Sequence, residues 1–162
     1  MTIQVGDTIP DIKLNAVEGG KIRELSVAEL FAGKKVVLFG LPGAFTSTCS
    51  KSHLPGFVAL ASEIKAAGVD LIACVSVNDA AVMKAWAAAH EVGDSITMLA
   101  DGAAAFSKAI GLDVDLSIVH MGVRSQRYAA IVEDGKVTTL NVEKPREFEV
   151  SSAETMLSAV RA

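Results

Sequence analysis

The sequence predicts an α/β domain in which one mixed β-sheet is covered by helices on both faces. Two continuous apolar runs, KKVVLFG and VDLIACVSV, have the pattern of strands buried on both sides, and each is followed by residues of helical periodicity. Near the C-terminus, Glu133-Asp134-Gly135 joins two β-rich runs and signals a hairpin. The length of 162 residues matches one domain over residues 1–162, since domains commonly take about 100 to 200 residues.

In chain order, IKLNAV, the turn signal EGGK and SVAELF read as an N-terminal β-hairpin leading into a short helix, with Ser26 and Glu29 spaced as a capping box. The strand KKVVLFG then delivers the chain to LPGAFTSTC. From Ser47, Leu54, Phe57, Val58, Ala61 and Ile64 recur at helical spacing up to Gly68, and Pro55 predicts a kink because it lacks a backbone donor. After VDLIACVSV, NDAAVMKAWAAAH reads as a helix capped by Asp79 with Val82, Trp86 and Ala89 on one face. ITMLA and DGAAAFSKAIGL repeat the strand and helix pattern. RYAAIVE and KVTTLNVE form the hairpin. SSAETMLSAVRA closes the chain as a helix, with Ser151 and Glu154 spaced as a capping box and Met156, Leu157 and Val160 as its apolar stripe. This order fits a thioredoxin-like fold with an N-terminal hairpin extension.

Composition excludes several function classes. With 51% hydrophobic and 21% charged residues the chain can bury a core. The net charge of −4 comes from interspersed acids and bases, with no basic run to neutralise phosphates, so nucleic acid is not expected as a partner. The apolar stretches are too short to cross a bilayer, and MTIQVGDTIP lacks the features of a secretory leader, which makes the cytoplasm the expected location. Cys49 and Cys74 are too few for a disulfide framework.

Cys49 carries the chemistry. It falls just after a buried strand and at the start of a helix, where unpaired N–H groups and the helix dipole favour a thiolate. A structural cysteine prefers an apolar setting, whereas Thr46, Ser47, Thr48 and Ser50 are small and polar. Cys74, inside an apolar strand, reads as a buried inert thiol. His53 lies four residues after Cys49 and can share its helix face, but His90 and His120 are isolated, so no metal site is expected.

Pro42, Thr46 and Cys49 match the PxxxTxxC motif of peroxiredoxins, and LFGLPGAFTSTCSKSHLPGF, ACVSVNDAAVMKAW, GVRSQRYAAIVEDGKV and the closing NVE through SSAE resemble the type II, or Prx5-like, subfamily over nearly the whole chain. The resemblance implies a peroxidase without a cofactor. In it Cys49 attacks a hydroperoxide, Thr46 gives its hydroxyl to the bound peroxide and Pro42 shields the site. A cation comes from an arginine directly before an aromatic residue, Arg127 beside Tyr128, with Arg124 as its competitor. Such groups would hold both peroxide oxygens in line with the sulfur.

Thr46-Ser47-Thr48-Cys49 stands where disulfide oxidoreductases of the same fold carry CxxC, so their internal disulfide is not available. Some Prx5-like enzymes have a resolving cysteine near the start of the last helix, but this chain has Glu149, Val150, Ser151 and Ser152 there. The resemblance therefore implies an external reductant, glutathione with glutaredoxin or thioredoxin, with the glutaredoxin route preferred. It also implies a homodimer paired through the face around the active site, with Phe45 and Trp86 as candidate contacts; Trp86 reads equally well as ordinary core, Phe45 less so because loop residues flank it. The rival readings are a thiol-disulfide exchanger, tested by insulin reduction, and a redox sensor, which would react slowly and once.

Overall fold

The computed structural model describes every residue, Met1–Ala162. Its strands are β1 (Lys13–Glu18), β2 (Lys21–Ser26), β3 (Lys35–Leu41), β4 (Leu71–Ser76), β5 (Thr97–Ala100), β6 (Asp113–Asp115), β7 (Val123–Ser125), β8 (Tyr128–Glu133) and β9 (Lys136–Val142). The helices are α1 (Val27–Phe31), α2 (Leu54–Ala66), α3 (Ala80–Ala89), α4 (Ala105–Ala109) and α5 (Ala153–Arg161). Seven strands form one sheet in the order β2-β1-β5-β4-β3-β8-β9. Its centre, β5-β4-β3, is parallel, and the hairpins β1-β2 and β8-β9 add antiparallel strands on either side. The N-terminal hairpin thus continues the main sheet.

Period-2 alternation divides the core between the two faces. Val37, Phe39, Ile72, Cys74, Met98 and Ile131 point to one side, under α2, α3 and α5. Val36, Leu38, Ala73, Val75, Leu99 and Val132 point to the other, under α1 and α4. The turns follow their residues: Asp134 (φ 48°) and Gly135 (φ 78°) both take the positive φ that a two-residue hairpin loop requires.

Several local expectations need correction. The buried face of α3 is Met83, Trp86 and Ala87, while Val82 is half-buried and Ala89 exposed; α3 is therefore rotated relative to the stripe Val82, Trp86, Ala89. The helix beginning at Ser47 does not simply kink at Pro55. Cys49–His53 forms a π-helical turn in which the Leu54 N–H reaches the Cys49 carbonyl, and Pro55 sits in the first turn of α2. An α-helical Pro55 would press on the Lys51 carbonyl without donating to it, and a widened turn relieves that clash. The small β6-β7 hairpin and the 3₁₀ turn Ser117–Val119 between its strands carry no pattern long enough to read in advance.

Ser26 and Asp79 cap α1 and α3 as expected, accepting from Glu29 N and Val82 N. The cap of α5 is Ser152, which accepts from Thr155 N, and not Ser151. Ser151 is fully buried and its hydroxyl donates to Glu143 instead.

Gly40 pairs with Tyr128 across β3 and β8. A Cβ on Gly40 would lie 2.2 Å from Tyr128 Cε1, and that ring is 1% exposed with no space to retreat. Gly40→Ala is expected to destabilise the fold by about 2 kcal/mol or more through overpacking, read as a lower urea midpoint at unchanged slope.

Candidate active site

The sheet topology brings three distant segments to one end. β3 ends at Leu41 and hands the chain to the loop Pro42–Thr46, where Phe45 takes φ 65° before the helix starts at Ser47. β8 runs antiparallel to β3 with Tyr128 opposite Gly40, so the residue before it, Arg127, lies beside that loop. β9 pairs with β8 so that Val142 faces Tyr128, and Glu143 N donates to Arg127 O at 2.9 Å.

Cys49 opens the π-helical turn and has no exposed surface. Arg127 Nη2 donates to Cys49 Sγ at 3.2 Å, and Arg127 Nη1 lies 2.9 Å from His53 Nδ1. A guanidinium can only donate, so Nδ1 is an acceptor and the imidazole proton sits on Nε2, which donates to Ser151 O at 2.9 Å. Burial first, and then the adjacent Arg127 charge, lower the pKa of His53 from 6.5 to about 3, so the ring is neutral. Phe39, Phe57 and Phe148 surround the imidazole at centroid distances of 5.0, 5.7 and 5.0 Å. Phe148 also lies 5.9 Å under Arg127 Cζ.

Behind Ser151 stands Glu143, 6% exposed, whose Oε2 accepts from Glu149 N (2.8 Å), Val150 N (2.9 Å), Ser151 N (2.8 Å) and Ser151 Oγ (2.6 Å). Burial works to raise this carboxyl, but the hydrogen bonds from Ser151, Glu149 and Val150 outweigh it and hold it below the usual carboxylate range. A continuous series of contacts thus runs from Glu143 through Ser151, His53 and Arg127 to the sulfur.

Thr46 Oγ1 donates to Gly43 O at 2.7 Å, and the Ala44 N–H donates to Asn78 Oδ1 at 2.9 Å. Arg124, the competitor for the cation position, is occupied elsewhere: it donates to the carbonyls of Met121, Pro42 and Val77 at 2.9, 3.4 and 3.3 Å, bracing the loop from behind. A cleft of about 440 Å³ opens beside the site and is lined by Pro42, Thr48, Gln126, Arg127 and Lys144 among others.

Cys49 and Arg127 are therefore in contact, and Thr46 and Pro42 share the adjoining loop. Cys74 is fully buried in β4, and burial raises its pKa well above the ordinary thiol value, with Cys49 adding to the effect. Trp86 is fully buried and donates to Ser50 Oγ at 3.0 Å, which makes it core and not a surface contact. Phe45 is 55% exposed. The sequence points to no site role for Glu143, Ser151 or Phe148: Ser151 reads as a helix cap, Glu143 and Ser151 lie within the family-like stretch NVE through SSAE, and Phe148 stands out only as an aromatic residue amid the polar run EKPREFEV.

His53 makes stability depend on pH. Between about pH 6.5 and pH 3 the unfolded chain binds a proton at this position and the native chain does not, so stability falls on acidification. The slope from this one group approaches about 1.4 kcal/mol per pH unit. Urea unfolding from pH 6 to pH 4 should show a shallower slope in His53→Gln than in the parent.

The Redoxin family model matches residues 4–157. Peroxiredoxin-2C of Oryza sativa subsp. japonica is 49% identical over 159 residues, covering 98% of each chain. Among solved structures, reduced Prx3 of Vibrio vulnificus in complex with H2O2 is 56% identical with a TM-score of 0.93, covering 98% of this chain and 99% of that one. Peroxiredoxin 5 of Alvinella pompejana is 32% identical with a TM-score of 0.85, covering 98% of each. These likenesses bear out the thioredoxin-like architecture. With the family matched over nearly its full length, this chain belongs to the Redoxin family as a type II peroxiredoxin, a thiol peroxidase.

Proposed function

We propose that Cys49 is the peroxidatic residue, served by Arg127, Thr46 and Pro42, and that an external thiol recycles it. The observation that carries this reading is the hydrogen bond from Arg127 Nη2 to Cys49 Sγ at 3.2 Å, at the head of a helix. A guanidinium donating to the sulfur orients the nucleophile and sets a fixed positive charge beside the place where charge moves during the reaction.

The thiolate attacks the terminal oxygen of ROOH. An S–O bond forms, the O–O bond breaks, and its electron pair leaves on RO⁻, which takes a proton to become ROH, or water when R is hydrogen. Sulfur is oxidised by two electrons to the sulfenic acid. The single hydroxyl proton of Thr46 is committed to Gly43 O, which leaves its lone pairs to accept the O–H of the peroxide. Arg127 uses one N–H on sulfur and one on His53, which leaves three of the five guanidinium donors available to the charge that builds on the leaving oxygen. Pro42 lines the cleft with a ring that offers no N–H to water. Hydrogen peroxide and organic hydroperoxides are the substrates, a reading supported by the Vibrio vulnificus relative described in complex with H2O2.

Glutathione with glutaredoxin, or thioredoxin, is the proposed reductant. The other cysteine, Cys74, is fully buried, and residues 149–152 contain none. A glutathione thiolate attacks the sulfenic sulfur, an S–S bond forms as the S–O bond breaks, and the departing hydroxide takes a proton to become water; a glutaredoxin thiolate then accepts the glutathionyl group and frees Cys49. The thiol must reach a sulfur with no exposed surface, so the turn Cys49–His53 opens in this step. The exposed apolar Phe45, Ile118 and Val119 support the pairing of two copies.

Stopped-flow oxidation by H2O2, followed through Trp86, tests the reading. The rate should exceed that of a free thiol by orders of magnitude, vanish in Cys49→Ser and persist in Cys74→Ser. Thr46→Val, which removes the acceptor for the peroxide O–H, and Arg127→Ala, which removes donors to the leaving oxygen, should each lower it about a hundredfold, the scale of a lost active-site hydrogen bond. A rate near that of free thiol with both H2O2 and organic hydroperoxides would sink the assignment. Under steady state, glutathione with glutaredoxin should sustain turnover in Cys74→Ser, and its failure there would point to an internal disulfide.

A further inference from the structure

Glu143 is a buried carboxylate without a cation. The molecule has two ion pairs, Arg23–Glu18 and Lys35–Glu133, and Glu143 takes part in neither. An anion taken out of water is costly unless it is fully hydrogen-bonded, and here four donors converge on one oxygen, Oε2. A neutral amide oxygen offers two lone pairs and no net charge, so it cannot hold all four donors equally well.

The groups held by Glu143 all lead toward Arg127. Its own backbone N–H donates to Arg127 O at 2.9 Å and fixes the base of that side chain. Its carboxylate gathers the Glu149–Ser151 backbone, which aims Ser151 O at His53 Nε2 (2.9 Å) and sets Phe148 against both the imidazole and the guanidinium. His53, held in one tautomer, accepts from Arg127 Nη1 (2.9 Å) and leaves Nη2 aimed at Cys49 Sγ (3.2 Å).

We propose that Glu143 is a positioning residue of the peroxidase reaction, a buried anion that holds the Arg127 guanidinium against Cys49 through Ser151 and His53. The inference rests on the role proposed above for Arg127. Glu143 touches neither the sulfur nor the substrate position, so its effect on rate passes through Arg127. A loop anchor of purely structural value would act whether or not Arg127 is present.

The difference is read by a double-mutant cycle on the full chain. Second-order rate constants for H2O2 are measured by stopped flow for the parent, Glu143→Gln, Arg127→Ala and the double variant, with thermal unfolding of each. Glu143→Gln should cost about tenfold in the parent and less than about twofold once Arg127 is gone, the mark of coupled residues. Ser151→Ala, which removes only the 2.6 Å hydroxyl bond, should show a smaller loss with the same dependence on Arg127, and decides the matter if Glu143→Gln does not fold. Equal losses in both backgrounds, or no loss in either, overturn the inference while a slow Arg127→Ala leaves the function standing. A fast Arg127→Ala overturns the role of Arg127 and the inference together.

Discussion

The antiparallel register of β3, β8 and β9 is the constraint on which the site depends. Gly40 opposite Tyr128, and Tyr128 opposite Val142, place the residues just outside those pairs, Leu41, Arg127 and Glu143, side by side at one end of the sheet. A slip of one residue would send Arg127 to the opposite face, because side chains alternate with a period of two. The register is held by burial on both faces: Val37, Phe39 and Ile131 belong to one core, Val36, Leu38 and Val132 to the other. Gly40 matters in the same sense, since only a residue without a side chain lets the Tyr128 ring lie across β3.

On that frame the site is an arrangement of charges in a poorly solvated place. Arg127 is the one cation in contact with the sulfur, and burial keeps its neighbour His53 neutral, so the guanidinium meets an acceptor and not a second positive charge. The Glu143 carboxylate is balanced by backbone dipoles and a hydroxyl, whose donors cannot leave as a mobile counterion could. The rings of Phe39, Phe57 and Phe148 pack around the His53 imidazole, so its bond to Ser151 O lies in a buried place of low dielectric that strengthens it. Arg124 braces the other wall through three carbonyls, which keeps a second guanidinium close to the loop and away from Cys49.

The segment bearing Cys49 is built differently from its surroundings. Its π-helical turn arises from Pro55 and turns both Cys49 and His53 inward, while Lys51 and Ser52 between them stay exposed. A π turn is a poorer helix than the α-helix it leads into. On the role proposed for Cys49, its sulfur lies in the turn whose hydrogen bonding is poorest, where opening costs less than in α2.

Much of this was legible in the sequence. The apolar runs of β3 and β4, the Asp134-Gly135 hairpin, the caps at Ser26 and Asp79 and the placement of Cys49 at a helix start all depend on residues within a few positions of one another, where steric and periodic rules act directly. Arg127 before an aromatic residue was found through the family motif, and spacing alone could not separate it from Arg124. The remainder was decided by contacts between distant parts of the chain: 78 residues separate Cys49 from Arg127, and 98 separate His53 from Ser151. Ser151 shows why. Its spacing to Glu154 is that of a capping box, yet the helix is capped by Ser152 and the Ser151 hydroxyl goes to Glu143, because a buried carboxylate needs a donor more than an exposed helix end does. The sequence by itself determined which local structures form and which thiol lies at a helix start; only the tertiary structure, through strand register and burial, decided which charges meet that thiol.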